Sequence, residues 1–119
     1  MQKVTVVSRG GEQVFVVDFS GCEPGKYASV VQEARRAICK EPLRSVRVVT
    51  VFEDVTFDLG TVKEMKDYAS SVMPHLKRCA LVGIEGMKKV VFGGIKPLFD
   101  IPVEIFADVE SAEEWAVQG

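Results

Sequence analysis

The chain has 119 residues, enough to bury one sizeable core and too few for two ordinary domains. Its 15 basic and 17 acidic residues, net charge −2, are spread along the sequence, which argues against the basic footprint of a nucleic-acid binder or a polybasic membrane tether. Cys22, Cys39 and Cys79 are odd in number and form no Cys-x-x-Cys pair, so neither a disulfide framework nor a zinc site is expected, and a cytoplasmic setting suits them.

In chain order, Lys3 to Ser8 and Gln13 to Ser20 are rich in Val and Phe, and the intervening Arg9-Gly10-Gly11-Glu12 carries the Gly-Gly signal of a hairpin. From Pro24 the period changes: Tyr27, Val30, Val31, Ala34 and Ile38 recur at three and four residues and predict an amphipathic helix, limited by Pro42. Val46 to Phe52 is a short β-branched run suited to a covered strand. Val62, Met65, Ala69, Val72 and Met73 predict a second helix, which Pro74 helps to end. Ala80 to Ile84 reads as a strand.

Met87, Val90, Val91, Ile95 and Leu98 share one face of a third helical stretch, weakened by Gly93-Gly94 and Pro97; on that wheel Gly94 faces the core. Val103 to Phe106 is a fifth strand, and Asp108 or Ser111 caps a last short helix with Ala112, Trp115 and Ala116. The order ββαβαβαβα, which alternates strands and helices after the antiparallel hairpin that opens it, implies right-handed crossovers into a mostly parallel five-stranded sheet, an α/β fold spanning residues 1–119 as a single domain. The N-terminus lacks an apolar leader, and no window approaches the run of about 18 apolar residues that spans a bilayer. No integral membrane segment is expected.

The hairpin, the apolar strand before Glu53, the Val55-Thr56-Phe57 loop and the tail from Ala80-Leu81-Val82-Gly83 through Val103-Glu104-Ile105-Phe106 to Asp108, Ala112 and Trp115 resemble the SpoIIAA-like group of small bacterial proteins. That group is related to STAS domains and to the ligand-binding core of Sec14-type lipid-transfer proteins. The resemblance covers nearly the whole chain and implies a SpoIIAA-like (STAS) fold. STAS proteins of the anti-sigma-factor antagonist type carry Val-Thr-Phe-x-Asp-Ser-Ser-Gly, whose second Ser is phosphorylated by a partner kinase. Here Val55-Thr56-Phe57 matches, while Leu59, Gly60, Thr61 and Val62 stand at the Asp, Ser, Ser and Gly positions. Only Thr61 keeps a hydroxyl, and Asp58 sits one place from the missing carboxylate.

Two readings of Thr61 are open. Thr61-Val62-Lys63-Glu64 fits a capping box, in which the hydroxyl accepts from an early amide and Glu64 reaches back. The same free amides and positive dipole end would also accommodate a phosphate on Thr61. Asp54, Asp58, Gly60 and Thr61 are therefore the expected regulatory or partner loop. Phe92 and Phe99, rimmed by Lys88, Lys89 and Lys96, either cover the helix edge or form an interaction surface with a partner, a second copy or a membrane surface.

Other candidates read as structural. Gly83-Ile84-Glu85-Gly86 lacks the Gly-x-Gly-x-x-Gly and Gly-Lys-Thr/Ser features of phosphate cradles and reads as a tight turn. His75, the sole histidine, is expected at the surface; Asp18 is expected to meet solvent or loop amides at its strand end. Cys39 and Cys79 are expected in the core, with Cys22 the exposed thiol. No nucleophile has a base beside it, so neither a catalytic residue nor a cofactor or metal site is expected. The sequence points to a cytoplasmic, non-enzymatic module that binds a protein partner, including a homodimer partner, with a small apolar ligand or lipid held in Sec14-like fashion as the alternative.

Overall fold

Gly10 and Gly11 adopt φ of +60° and +83°, the left-handed conformation that a two-residue type I′ hairpin loop demands at both central positions. The loop joins β1 (Val4–Arg9) to β2 (Glu12–Asp18) in an antiparallel pair, with Arg9 opposite Glu12 and Val4 opposite Val17. These elements belong to a computed structural model that describes residues 3–84, 93–94 and 96–119, with Leu98 described through its backbone alone. From β2 onward the strands pair in parallel through β3 (Val46–Val51), β4 (Leu76–Val82) and β5 (Val103–Phe106). The sheet order is β1-β2-β3-β4-β5. This is the expected five-stranded, mostly parallel α/β sheet with its N-terminal hairpin.

Each parallel step moves the chain one strand in the same direction, and right-handed crossovers that all step one way carry their helices to one face. α1 (Tyr27–Ile38) and α2 (Leu59–Val72) accordingly share a single core with that face of the sheet. α3 (Val109–Ala116), which follows β5, covers the other face with Ala112 and Ala116 against Val14, Val49, Val51, Ala80 and Val82. β3 is buried at every position, as a central strand covered on both sides must be. The predicted α1 stripe, Tyr27, Val30, Val31, Ala34 and Ile38, is its buried stripe.

The larger core is built around aromatic rings. Phe19 stacks on Phe52 at 5.3 Å between centroids, lies 5.5 Å from Tyr27, and meets Tyr68 edge-on at 6.2 Å. Offset and edge-to-face contacts of this kind add to the burial of the rings themselves. They also tie the end of β2 to the ends of β3 and both helices, where the Asp54–Thr61 loop begins.

The opposite face is organised by Arg47, 6% exposed within β3. Its guanidinium donates to the carbonyl oxygens of Ala116 at 2.7 Å, Gln118 at 3.0 Å and Gly119 at 3.3 Å, and Glu12 lies 3.8 Å away. A cation at the C-terminal end of α3 satisfies carbonyls that have no intrahelical partner and favours the helix dipole. Arg9, beside the hairpin turn, reaches the same helix through Glu113 and Glu114 at 3.2 and 3.1 Å. Arg78 lies over the Trp115 ring at 4.0 Å, a cation–π contact.

Several boundaries differ from expectation. β4 begins at Leu76 rather than Ala80, because Leu76 pairs with Val46 and a register shift beside Arg47 accommodates polar Lys77 and Arg78. α2 begins at Leu59, ahead of Thr61. Most of the third predicted helix lies outside the described residues; within it Lys96–Leu98 is a 3-10 turn. Gly94 is exposed, and a Cβ there would meet nothing within 4 Å, so it does not face the core as expected.

Candidate functional site

The loop between β3 and α2 is fixed from three sides. Phe52 N–H continues the ladder to Val82 O at 2.8 Å, Gly21 N–H donates to Glu53 O at 2.9 Å, and Thr56 N–H donates to Cys22 O at 3.0 Å. The Tyr27 hydroxyl donates to Thr56 O at 3.0 Å, and burial raises that phenol above its ordinary range, so it remains a neutral donor. Gly83, with φ +85°, lets β4 pass close by: a Cβ there would lie 3.0 Å from Glu53 Cγ and 3.2 Å from backbone atoms of Phe52 and Glu53. Asp54 itself takes φ 55°, an unusual conformation for a non-glycine residue that Asp tolerates better than most.

Asp58, in extended conformation, is the N-cap of α2. Its Oδ1 accepts from Thr61 N–H at 2.7 Å and from the Thr61 hydroxyl at 2.8 Å. These two bonds, the backbone one first, hold the Asp58 carboxyl below its ordinary value. Thr61 is therefore not the cap expected from the Thr-x-x-Glu pattern; it is the third residue of the helix, 3% exposed, and its hydroxyl donates back to the residue that caps. A carboxylate accepts the first-turn amides more strongly than a hydroxyl does, which places the start at Asp58. The same arrangement recurs at α3, where Asp108 Oδ1 accepts from Ser111 N–H at 2.8 Å.

Among the expected loop residues, Asp54, Asp58 and Gly60 are exposed and Thr61 is buried. Between Asp58 and Gly60, Leu59 is 89% exposed. Its neighbours explain why: Val55 is buried and Phe57 half-buried against Tyr27 and Phe52, so the loop's remaining apolar side chains are already used in the core. A pinned loop ending in a capped helix thus presents one large aliphatic side chain to solvent. The sequence reading did not single out Leu59; its position off the Thr61, Met65, Tyr68 and Val72 stripe is the signal that marks it.

Behind the loop, between α2 and the sheet, lies an apolar cavity of about 80 Å³. Phe57 and Val62 from the loop side, Met65 and Tyr68 from α2, Val48 from β3, and Phe99 contribute to its wall. Burial raises the Tyr68 phenol and pushes the Cys79 thiol up to about 12, so both remain neutral. A neutral thiol with no base is a poor nucleophile.

The remaining candidates are dispersed. Phe99 is half-buried against the core and Lys96 is exposed; Phe92, Lys88 and Lys89 lie outside the described residues. His75 is half-buried, its Nδ1 2.7 Å from Glu41 O. Asp18 accepts from Ser20 N–H at 2.8 Å, the loop-amide arrangement expected of it. The cysteine assignments at Cys22 and Cys39 are reversed. Cys22 is buried because a turn at Gly21, φ +77°, folds it inward under the bonds to Phe19 and Thr56, whereas Cys39 is exposed as the C-cap of α1. Among the described residues no group of His, Cys, Asp and Glu is arranged to hold a metal, and no helix is long and apolar enough to cross a membrane.

Sheet order, hairpin and helix placement together define a SpoIIAA-like fold. The chain is similar to an uncharacterised protein of the DUF3478 family with a SpoIIAA-like fold from Shewanella loihica PV-4, with a TM-score of 0.73 and 10% sequence identity over 95% of this chain and 91% of that one. No family model and no curated protein matches the sequence.

Proposed function

We propose that the protein is a non-enzymatic interaction module that engages a protein partner through the Asp54–Thr61 loop and the adjoining helix surfaces. The observation that carries this reading is Leu59, an aliphatic side chain 89% exposed on the first residue of α2, directly after the Asp58 cap and a loop whose backbone is pinned at Phe52, Glu53 and Thr56. An apolar side chain on a preorganised mount loses little conformational freedom on docking, so more of the area it buries is available as binding energy. Affinity capture from the native cell with the wild-type chain and with Leu59→Asp tests the reading; equal recovery of the same proteins by both would sink it.

Regulation at Thr61 is a refinement of the same reading. A phosphoryl group on its hydroxyl would replace a donor to Asp58 by a dianion beside a carboxylate, and that repulsion would open the first turn of α2. Because Thr61 is buried, a kinase requires that turn to open first. Phosphoproteomics with a Thr61→Ala control tests it, and complete absence of the modification under every growth condition counts against it.

The cavity supports a second reading, a small apolar ligand held between α2 and the sheet. At about 80 Å³ it is well below the roughly 300–1,000 Å³ usual for ligand pockets, so a whole lipid requires the wall to move. Native mass spectrometry of the purified protein tests this reading; an apo mass with no adduct after gentle isolation argues against it.

A further inference from the structure

The cavity between α2 and the sheet is not uniformly apolar. Thr50 from β3 and Tyr68 from α2 both line it, and each is 5% exposed. Thr50 shares its face of β3 with Val48 and Phe52, so its hydroxyl belongs to the sheet side of the cavity and the Tyr68 phenol to the helix side. Neither hydroxyl forms a hydrogen bond among the described residues; the side-chain bond recorded at Tyr68 is to its carbonyl oxygen, from Ser71 Oγ at 2.8 Å. Nor is either sealed within packed core, because Arg78 Nε is the one described side-chain polar atom that is both enclosed and unpaired. The two hydroxyls therefore open onto the cavity.

Buried hydroxyls ordinarily have partners, and valine and phenylalanine would fill the same shapes without the cost of leaving them unpaired. The rest of the wall excludes charge: among the described residues that line it, none is acidic, basic or histidine. A carboxylate or phosphate placed inside would lose its hydration and gain no counter-charge. An apolar wall with a few placed polar groups is the usual make-up of a small-molecule site. We infer that the cavity binds a small neutral molecule, apolar over most of its surface and carrying a hydroxyl or carbonyl group that pairs with Thr50 and Tyr68. This rests on the reading of the cavity as an apolar-ligand site and names the class of ligand. A cavity of roughly 150 Å³ holds benzene. At about 80 Å³ the present one admits a single ring only if part of its wall yields. Phe57, Val62 and Phe99 are half-buried while the other lining residues are buried, which puts the yielding side at this rim.

Phenol, toluene and benzoate share one ring and differ in carrying a neutral hydroxyl, a methyl group or a charge. Each is titrated into the full chain and followed through the methyl resonances of Val48, Met65 and Leu81, which line the cavity. The titrations are repeated on Thr50→Val, on Tyr68→Phe and on the double variant, after thermal unfolding establishes that each folds. The wild type is expected to bind phenol at least as tightly as toluene and to show no shift with benzoate. Removing both hydroxyls is expected to weaken phenol by at least about tenfold relative to toluene. Phenol binding weaker than toluene, benzoate binding as tight as phenol, shifts confined to methyls outside the cavity, or a phenol-to-toluene ratio untouched by both substitutions overturns the inference. The comparison of the three probes on the wild type decides alone if a variant does not fold. If toluene binds and phenol is not favoured by the hydroxyls, the ligand class falls while the apolar-ligand reading stands; if none of the three binds, both fall.

Discussion

Asp58 Oδ1 receives both the backbone N–H and the side-chain hydroxyl of Thr61, at 2.7 and 2.8 Å. One carboxylate oxygen thereby closes the start of α2 and immobilises the residue at the resemblance's phosphorylation position. Asp58→Ala is expected to destabilise the protein more than Asp58→Asn, which keeps an acceptor, and Thr61→Val to cost about 1 kcal/mol through loss of the hydroxyl bond. Denaturant unfolding of the three variants checks the ranking.

The pH dependence of that cap has a definite sign. The Asp58 carboxyl is held below its ordinary value of 3.8, so its stabilisation is present above that value and is lost as pH falls through the folded-state value. Asp58→Asn is expected to remove this contribution to the acid limb and leave a flatter profile. Urea midpoints followed from neutral pH into acid test it; identical acid limbs would contradict the assignment.

Arg47 joins β3 to the end of α3 through three carbonyl oxygens. Arg47→Met is expected to cost about 2 kcal/mol, since it removes charge-assisted bonds and leaves buried carbonyls unpaired. Arg47→Lys should recover only part of this, because an ammonium does not reproduce the planar fork. Hydrogen exchange at Ala116 to Gln118 provides a local readout, with faster exchange expected in both variants.

Phe19 is fully buried at the centre of the aromatic cluster. Phe19→Ala is expected to cost about 3–5 kcal/mol through lost burial and the cavity left behind. Gly83→Ala is expected to cost about 1–3 kcal/mol, because alanine would be strained at φ +85° and its Cβ would press on Glu53 and Phe52. Equilibrium unfolding measures both.

Most of the fold was legible because its signals are local: the period-three-to-four stripe of α1, the Gly10-Gly11 turn and the β-branched run of β3 each occur within one short window. What escaped depended on distant residues. Arg47 in an apolar run resembles a solvent-facing interruption until α3 brings its carbonyl ends alongside. Cys22 and Cys39 exchanged environments because the turn at Gly21 and the end of α1, rather than their immediate neighbours, decide their burial. Asp58 and Thr61 both fit helix-start patterns, and only the backbone conformation separates cap from capped. Leu59 is an ordinary residue in the sequence, and the packing of Val55 and Phe57 inward is what leaves it outside.

Docking through Leu59 is open to a direct test. Leu59→Asp should leave unfolding stability within about 0.5 kcal/mol, as expected of a fully exposed position, and Leu43→Asp, at an exposed leucine between α1 and β3, serves as the control. Quantitative affinity capture with the three chains is the direct measurement. If Leu59 docks a partner, proteins retained by the wild type and by Leu43→Asp are lost with Leu59→Asp; retention of the same proteins at the same level by all three chains would rule that role out.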